Sequence, residues 1–231
     1  MSGSEFVFED VACGYADTLV VRGISGRVGP GEVLGVLGRN GVGKSTLMRA
    51  LAGFLPLARG RVFWRGADIG AAPPQARLGA GLAFAPQENV VFGELSVEDN
   101  LWLHVRGCRD SRYAELLRTF PRIEERLRQR AGALSGGERK LLSFVRTMGL
   151  AAPLTLFDEP TEGVQPENIE KMAQAIAQRA AAGASFMVVE QNLGFLERVA
   201  NRVLVLDHGE CVLEGAMADF SREALERHLV V

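Results

Sequence analysis

Cysteine is scarce in this sequence. Cys13, Cys108 and Cys211 are widely separated among 231 residues and form no CxxC pair. That argues against a zinc site and a disulfide framework, and it fits a reducing compartment. Histidine is equally sparse, at His104, His208 and His228. Neither charge is in excess: the net charge is −2 with 23% charged residues, which is ordinary for a globular protein and gives no argument for a nucleic-acid partner. No apolar run approaches the roughly 20 residues that span a bilayer, so work at a membrane would need another chain as anchor. The opening MSGSEFVFED has no basic start and no long apolar segment, and does not read as a signal peptide. Internal repeats and low-complexity segments are missing, while 47% hydrophobic content supplies a sizeable core.

What is present is an alternation of strand and helix patterns. Phe6 and Phe8 alternate with Val7 and Glu9 as a short strand, VVRGISGRV follows as another, and Pro30-Gly31 is a turn. EVLGVLG (Glu32–Gly38) is an apolar strand running into a glycine-rich loop. A helix is expected from Lys44, with Met48, Leu51 and Leu55 on its apolar face and Pro56 as its stop. Strands are expected at RVFW and GLAFAPQ, helical structure from Ser96 to about Arg130, and a helix after Ser135. LTLF (Leu154–Phe157), a helix over Glu167–Ala182, a strand in SFMVV and a strand in RVLVLDHG complete the pattern. Strands alternating with helices point to an α/β core, with the central helical block inserted into it.

GRNGVGKST matches G-x-x-x-x-G-K-[ST] from Gly38 to Thr46. Glycines let consecutive backbone N–H groups face phosphate oxygens. In this motif Gly38, Arg39, Asn40, Gly41, Val42, Gly43 and Thr46 form the cradle, Lys44 reaches the terminal phosphates and the Ser45 hydroxyl ligates Mg²⁺. An ordinary glycine-rich turn is the bland alternative. It fits poorly between a strand and a helix start. LTLFDEP brings Asp158 and Glu159 to the end of a buried strand. Asp158 suits the Mg²⁺ shell and Glu159 suits polarising an attacking water, against the alternative of an acidic strand-ending turn.

LSGGE (Leu134–Glu138) reads first as a capping box, Ser135 and Glu138 closing a helix start reciprocally. Two intervening glycines are costly for that purpose alone, and they suit a backbone that another object approaches closely. The order GRNGVGKST, Gln87, LSGGE, LTLFDEP resembles ABC transporter ATP-binding subunits over nearly the whole chain. QRAGALSGGERK, FDEPTEGVQPENI and VVEQN bring the fit nearest to ATPases of branched-chain amino acid and urea importers. The resemblance implies an α/β fold: a P-loop NTPase core of mostly parallel sheet flanked by helices, with an antiparallel β edge subdomain and an inserted α-helical subdomain. It makes 1–231 a single ABC ATPase domain, with 1–88 and 151–231 as the nucleotide-binding core and 89–150 as the helical subdomain.

The same resemblance implies ATP and Mg²⁺ as cofactors and a dimer with a second ABC ATPase subunit. Ser135, Gly136 and Gly137 would then close over the partner's nucleotide. Tyr15 matches an adenine-stacking aromatic, though a half-buried strand tyrosine is the other reading. Gln87 matches a hinge glutamine that touches Mg²⁺ beside Ser45 and Asp158. Transmembrane permease subunits are implied as partners near Gln87 and ENVVFGELSVED, with Phe92 and Leu95 as contacts or as a local mini-core. The chain would be cytoplasmic, peripheral on the inner face of the membrane through the permease alone.

The family usually carries a histidine where Gln191 falls. His208 reads as a turn residue, and His104 and His228 lie in stretches expected to be helical, so Gln191 is the ligand-facing group by default. With Glu159 as base and Lys44 on the phosphates, Gln191 is expected to position phosphate and water. Gln165 stands where many relatives have aspartate, and Glu138 replaces a commoner glutamine; both are expected near the dimer interface. The rival readings are a non-transport ABC ATPase and a weakly hydrolysing regulatory module. Lys44, Asp158 and Glu159 argue against the second. The absence of an NKxD motif argues against a GTPase.

Overall fold

The computed structural model describes residues 5–16, 18–88, 90–103 and 111–229. His104 and Cys108 therefore lie outside the described residues. The strands are β1 (Phe6–Tyr15), β2 (Thr18–Val28), β3 (Val33–Leu37), β4 (Arg59–Trp64), β5 (Ala67–Asp68), β6 (Leu82–Ala85), β7 (Leu154–Asp158), β8 (Ser185–Val189), β9 (Arg202–Asp207) and β10 (Glu210–Ala216). The helices are α1 (Lys44–Leu51), α2 (Pro74–Gly79), α3 (Val97–Trp102), α4 (Ala114–Thr119), α5 (Pro121–Glu124), α6 (Gly136–Gly149), α7 (Pro166–Ala181), α8 (Leu193–Val199) and α9 (Arg222–Glu226).

One sheet has the order β10-β9-β3-β8-β7-β6; its members β9, β3, β8, β7 and β6 run parallel, and β10 is an antiparallel edge. Its central strands are buried on both faces, which explains their unbroken apolar sequences. Leu34, Val36, Met187 and Val189 face one core with α1 and the second sheet, while Val33, Leu37, Phe186 and Val188 face the other with α6, α7 and α8. The second sheet, β2-β1-β4-β5, is antiparallel and packs over α1. The fold is the expected P-loop core with an antiparallel edge sheet and a helical insertion.

Several elements differ from expectation. Strand β1 extends to Tyr15 because the chain bulges at Asp10, whose φ is 48° and whose carboxylate pairs with Arg59 at 2.7 Å. Helix α1 stops at Leu51, short of Leu55 and Pro56. Gly53, at φ 84°, turns the chain there, and Phe54 N–H bonds back to the Arg49 carbonyl at 2.8 Å. The region from Ser96 to Arg130 is not continuously helical among its described residues. Pro121 removes helical geometry from Phe120 (φ −119°, ψ 68°), which separates α4 from α5. Residues 127–131 then return to pair with 95–98, through Val97 N–H to the Gln129 carbonyl and Ala131 N–H to the Leu95 carbonyl. Helix α2 and strand β10 carry too little apolar periodicity to be anticipated. His228 falls in the turn after α9.

An aromatic column ties the helical insertion to the sheet. Phe120 of the insertion meets Phe144 of α6 edge-on at 5.9 Å. Phe144 stacks on Phe157 of β7 at 5.1 Å, and Phe157 on Phe186 of β8 at 6.3 Å. All four rings are fully buried. Phe157 directly precedes Asp158, so the column sets the height of the β7 carboxylates. Phe157→Ala should cost about 3–5 kcal/mol of unfolding free energy, measured as a lowered urea midpoint at unchanged m-value.

Candidate functional site

Four loops leave the carboxyl ends of β3, β6, β7 and β8 on the same edge of the parallel sheet, the edge where ligands bind in open α/β sheets. After β3, the loop 38–43 passes through Gly38, Gly41 and Gly43 at φ 148°, 81° and 108°. A side chain at Gly38 would place Cβ 2.4 Å from the Leu206 carbonyl, and one at Gly41 would meet nothing within 4 Å. Gly38 is thus demanded by packing, whereas Gly41 keeps the rim of the loop bare. Helix α1 begins at Lys44 with no side-chain cap. Its first N–H groups have no intrahelical partners, as an anion site at a helix start requires.

Lys44 is buried, its side chain 4% exposed. Nζ donates to the carbonyls of Gly38 and Arg39, both at 2.8 Å, and lies 3.7 Å from Glu159 Oε1. Burial pulls its pKa down, and the neighbouring carboxylates of Glu159 and Asp158 oppose that. Ser45 Oγ donates to Asp158 Oδ1 at 3.0 Å, and Gln87 Oε1 lies 3.5 Å from the same hydroxyl. Burial raises Asp158 to about 6, against the Ser45 hydrogen bond and with the Glu159 charge. These three oxygen donors fit a hard divalent cation. Mg²⁺ characteristically takes one or two protein carboxylates and completes its shell with water and phosphate. No group of three or more histidine, cysteine or carboxylate residues placed to hold a metal ion by themselves occurs among the described residues.

Glu159 is the focus of the arrangement. Its side chain is 7% exposed. Gln87 Nε2 donates to Oε2 and Gln191 Nε2 donates to Oε1, both at 2.8 Å. Gln191 Nε2 also donates to Asn40 Oδ1 at 2.7 Å. The Glu159 backbone lies in the left-handed region at φ 48°, a strained setting for a residue with a side chain. It is held there by its N–H to the Val189 carbonyl at 2.9 Å and by Lys140 Nζ to its own carbonyl at 3.0 Å.

The structure therefore brings together Lys44, Ser45, Asn40, Gln87, Asp158, Glu159 and Gln191. Tyr15, 47% exposed, lines a cleft of about 350 Å³ with Ser45, Gln87 and Asp158. Ser135 and Gly137 line a different cavity, of about 450 Å³, with Gly163, Val164 and Gln165. The capping box is formed: Ser135 Oγ accepts from Glu138 N–H at 3.3 Å, and Glu138 Oε2 accepts from Ser135 N–H at 2.9 Å. Glu138 also pairs with Arg126 at 3.3 Å and Arg122 at 3.5 Å. The Ser135 N–H and these guanidinium groups hold its pKa below the usual carboxylate range, which gives a reason for glutamate here. The two signature glycines differ. A Cβ on Gly137 would lie 2.1 Å from the Gly163 carbonyl, whereas one on Gly136 meets nothing within 4 Å. His208 sits in an exposed turn after β9, as anticipated.

Sequence reasoning did not assign Lys140 or Glu190. Lys140 had no signal beyond its place in a helix. Glu190 stood in view beside Gln191, but its burial, at 3% exposure, depends on the sheet.

Residues 21–162 match the family described as ABC transporter. The high-affinity branched-chain amino acid transport ATP-binding protein BraG of Pseudomonas aeruginosa is 32% identical over 210 residues, covering 89% of this chain and 90% of that protein. The lipopolysaccharide export system ATP-binding protein LptB of Escherichia coli is 30% identical over 223 residues, covering 93% and 92%. A solved structure of the ATP-binding subunit of an ABC transporter is 27% identical with a TM-score of 0.83, covering 94% of this chain and 92% of that one. Family, fold and the glycine loop ahead of Lys44 agree: this chain belongs to the ABC transporter family and is an ATP-binding, ATP-hydrolysing subunit.

Proposed function

We propose that the chain powers an importer of a small polar solute, of the branched-chain amino acid or urea-like class, by hydrolysing MgATP between two ATPase subunits. The observation that carries the catalytic part is the Glu159 carboxylate, fixed by amides from two other loops beside a buried lysine. BraG and a second branched-chain amino acid ATPase, LivF of Archaeoglobus fulgidus at 29% identity, support the importer reading. The similarity to LptB supports an exporter as the second reading. No helix among the described residues is long and apolar enough to cross a membrane, so separate permease chains would carry the solute. The ATPase would then sit peripherally on the cytoplasmic face.

In this reading the loop 38–46 and the start of α1 hold the phosphates through backbone N–H groups, and Tyr15 stacks on the base. Ser45, Gln87 and Asp158 would hold Mg²⁺. When bound, that ion neutralises charge on the phosphate oxygens. Lys44 exchanges part of its carbonyl contacts for terminal phosphate oxygens. Glu159 takes a proton from the attacking water as the new bond to the γ-phosphorus forms and the bond to the bridging oxygen breaks. Gln191 has two N–H donors and one carbonyl; by trading its bond to Asn40 for a phosphate oxygen it can accept from the water while still donating to Glu159.

The bare Gly136, exposed at the tip of α6, is suited to close approach by a partner's nucleotide, together with Ser135 and Gly137. That makes a dimer with composite sites. Gly137 also serves packing within its own chain, as its contact with Gly163 requires.

Glu159→Gln should bind ATP and slow hydrolysis by about 10²–10⁴-fold, read as phosphate release against fluorescent-nucleotide binding; normal turnover would remove Glu159 as base. Gly136→Val should leave the melting temperature nearly unchanged and abolish ATP-dependent dimerisation in light scattering. Gly137→Ala, by contrast, should lower the melting temperature. Co-purification from membranes should recover permease chains, and vesicles carrying that complex should take up labelled leucine or urea on addition of ATP. ATP-driven transport in the outward direction would favour the exporter reading.

A further inference from the structure

The carboxylate of Glu190 is buried, and nothing in the mechanism above uses it. It stands at the carboxyl end of β8, next to Gln191, with 3% exposure. Burial raises its pKa, opposed by the Thr161 hydroxyl and by the N–H groups that bond it. Its two oxygens have different tasks. Oε1 accepts from the Thr161 N–H at 2.8 Å, on the loop that leaves β7 just after Glu159. Oε2 accepts from the N–H groups of Gln191 at 3.2 Å and Asn192 at 3.3 Å. One side chain thereby clamps the loop carrying the Glu159 base to the loop carrying Gln191. The Gln191 amide in turn reaches Glu159 Oε1 at 2.8 Å, which closes a ring of bonds through both strands.

A carboxylate is the group this geometry requires. It accepts at both oxygens and donates at neither when ionised. A glutamine of the same shape could keep the Thr161 bond, but it would then turn an NH₂ group toward the Gln191 and Asn192 donors. Burying an ionised group is expensive unless it is hydrogen-bonded, and here three backbone N–H groups from two loops meet it, which a neutral or apolar residue would leave unsatisfied. We propose that Glu190 is a positioning residue for ATP hydrolysis, orienting Gln191 toward Glu159 and locking the β7 and β8 loops in register. It acts through Gln191 and does not itself touch the nucleotide. This inference rests on the assignment of Gln191 as the group that places phosphate and water.

The test is a double-mutant cycle on the full chain. Steady-state MgATP turnover and binding of a fluorescent ATP analogue are measured for wild type, Gln191→Ala, Glu190→Gln and the double variant. Each single variant should lose about tenfold or more in kcat, since an ångström of misplacement can cost up to about 10²-fold. KM and analogue affinity should stay within about twofold, and the double variant should be no slower than Gln191→Ala alone. Wild-type turnover in Glu190→Gln, or a loss that multiplies with that of Gln191→Ala, overturns the inference while leaving the Gln191 assignment in place. Wild-type turnover in Gln191→Ala sinks that assignment, and this inference with it. If Glu190→Gln does not fold, by melting curve and analogue binding, Glu190→Asp takes its place. It keeps the charge but is one methylene too short to span both loops, and the same kcat and coupling criteria apply to it.

Discussion

Lys44 and Glu159 lie side by side out of water, and the matching of those two charges organises the molecule. Removing an ammonium and a carboxylate from solvent costs several kcal/mol each unless every polar group around them is satisfied. Here Lys44 is met by two carbonyls of its own loop, and Glu159 by the side-chain amides of Gln87 and Gln191. Those partners come from the ends of β3, β6 and β8, while Glu159 follows β7. A parallel sheet in the order β3-β8-β7-β6 delivers all four ends to one place. The left-handed backbone at Glu159 is tolerated because its N–H and carbonyl are both held.

The helical insertion joins this site at two levels. Deep in the core, the Phe120–Phe144–Phe157–Phe186 column makes α6 and β7 one packed unit. Nearer the surface, Lys140 of α6 reaches the Glu159 carbonyl and lies 3.4 Å from Glu162. The same helix carries the Ser135–Glu138 capping box at its start, braced by Arg122 and Arg126. One helix therefore connects the exposed signature tip, suited to a second subunit, with the backbone of Glu159, the proposed base. A displacement of α6 would shift the setting of Glu159 directly, which gives a physical route from that tip to the proposed base.

Much of the site was legible in the sequence because its spacing is chemistry. A glycine loop before Lys44-Ser45, an apolar strand ending in Asp158-Glu159, and polar groups at the end of a buried strand each state a local requirement. The unbroken apolar strands declared burial on both faces, and Ser135 with Glu138 declared a helix start. Boundaries were less legible where a single residue outweighed the periodicity. Gly53 ended α1 a turn before Pro56, and Pro121 split the run expected to be helical after Ser96.

Short-range spacing carries the nucleotide chemistry and the class of fold, because both follow from residue types at fixed short separations, and the same spacing points to the groups proposed to meet the phosphates. The folded chain sets which groups meet across the sheet: Gln87 and Gln191 on the Glu159 carboxylate, Lys140 on its carbonyl, Glu190 between the β7 and β8 loops, and Gly137 against Gly163. Those contacts join residues that are distant in the chain. Strand order and burial bring them within hydrogen-bond reach, and no local pattern of residues encodes that.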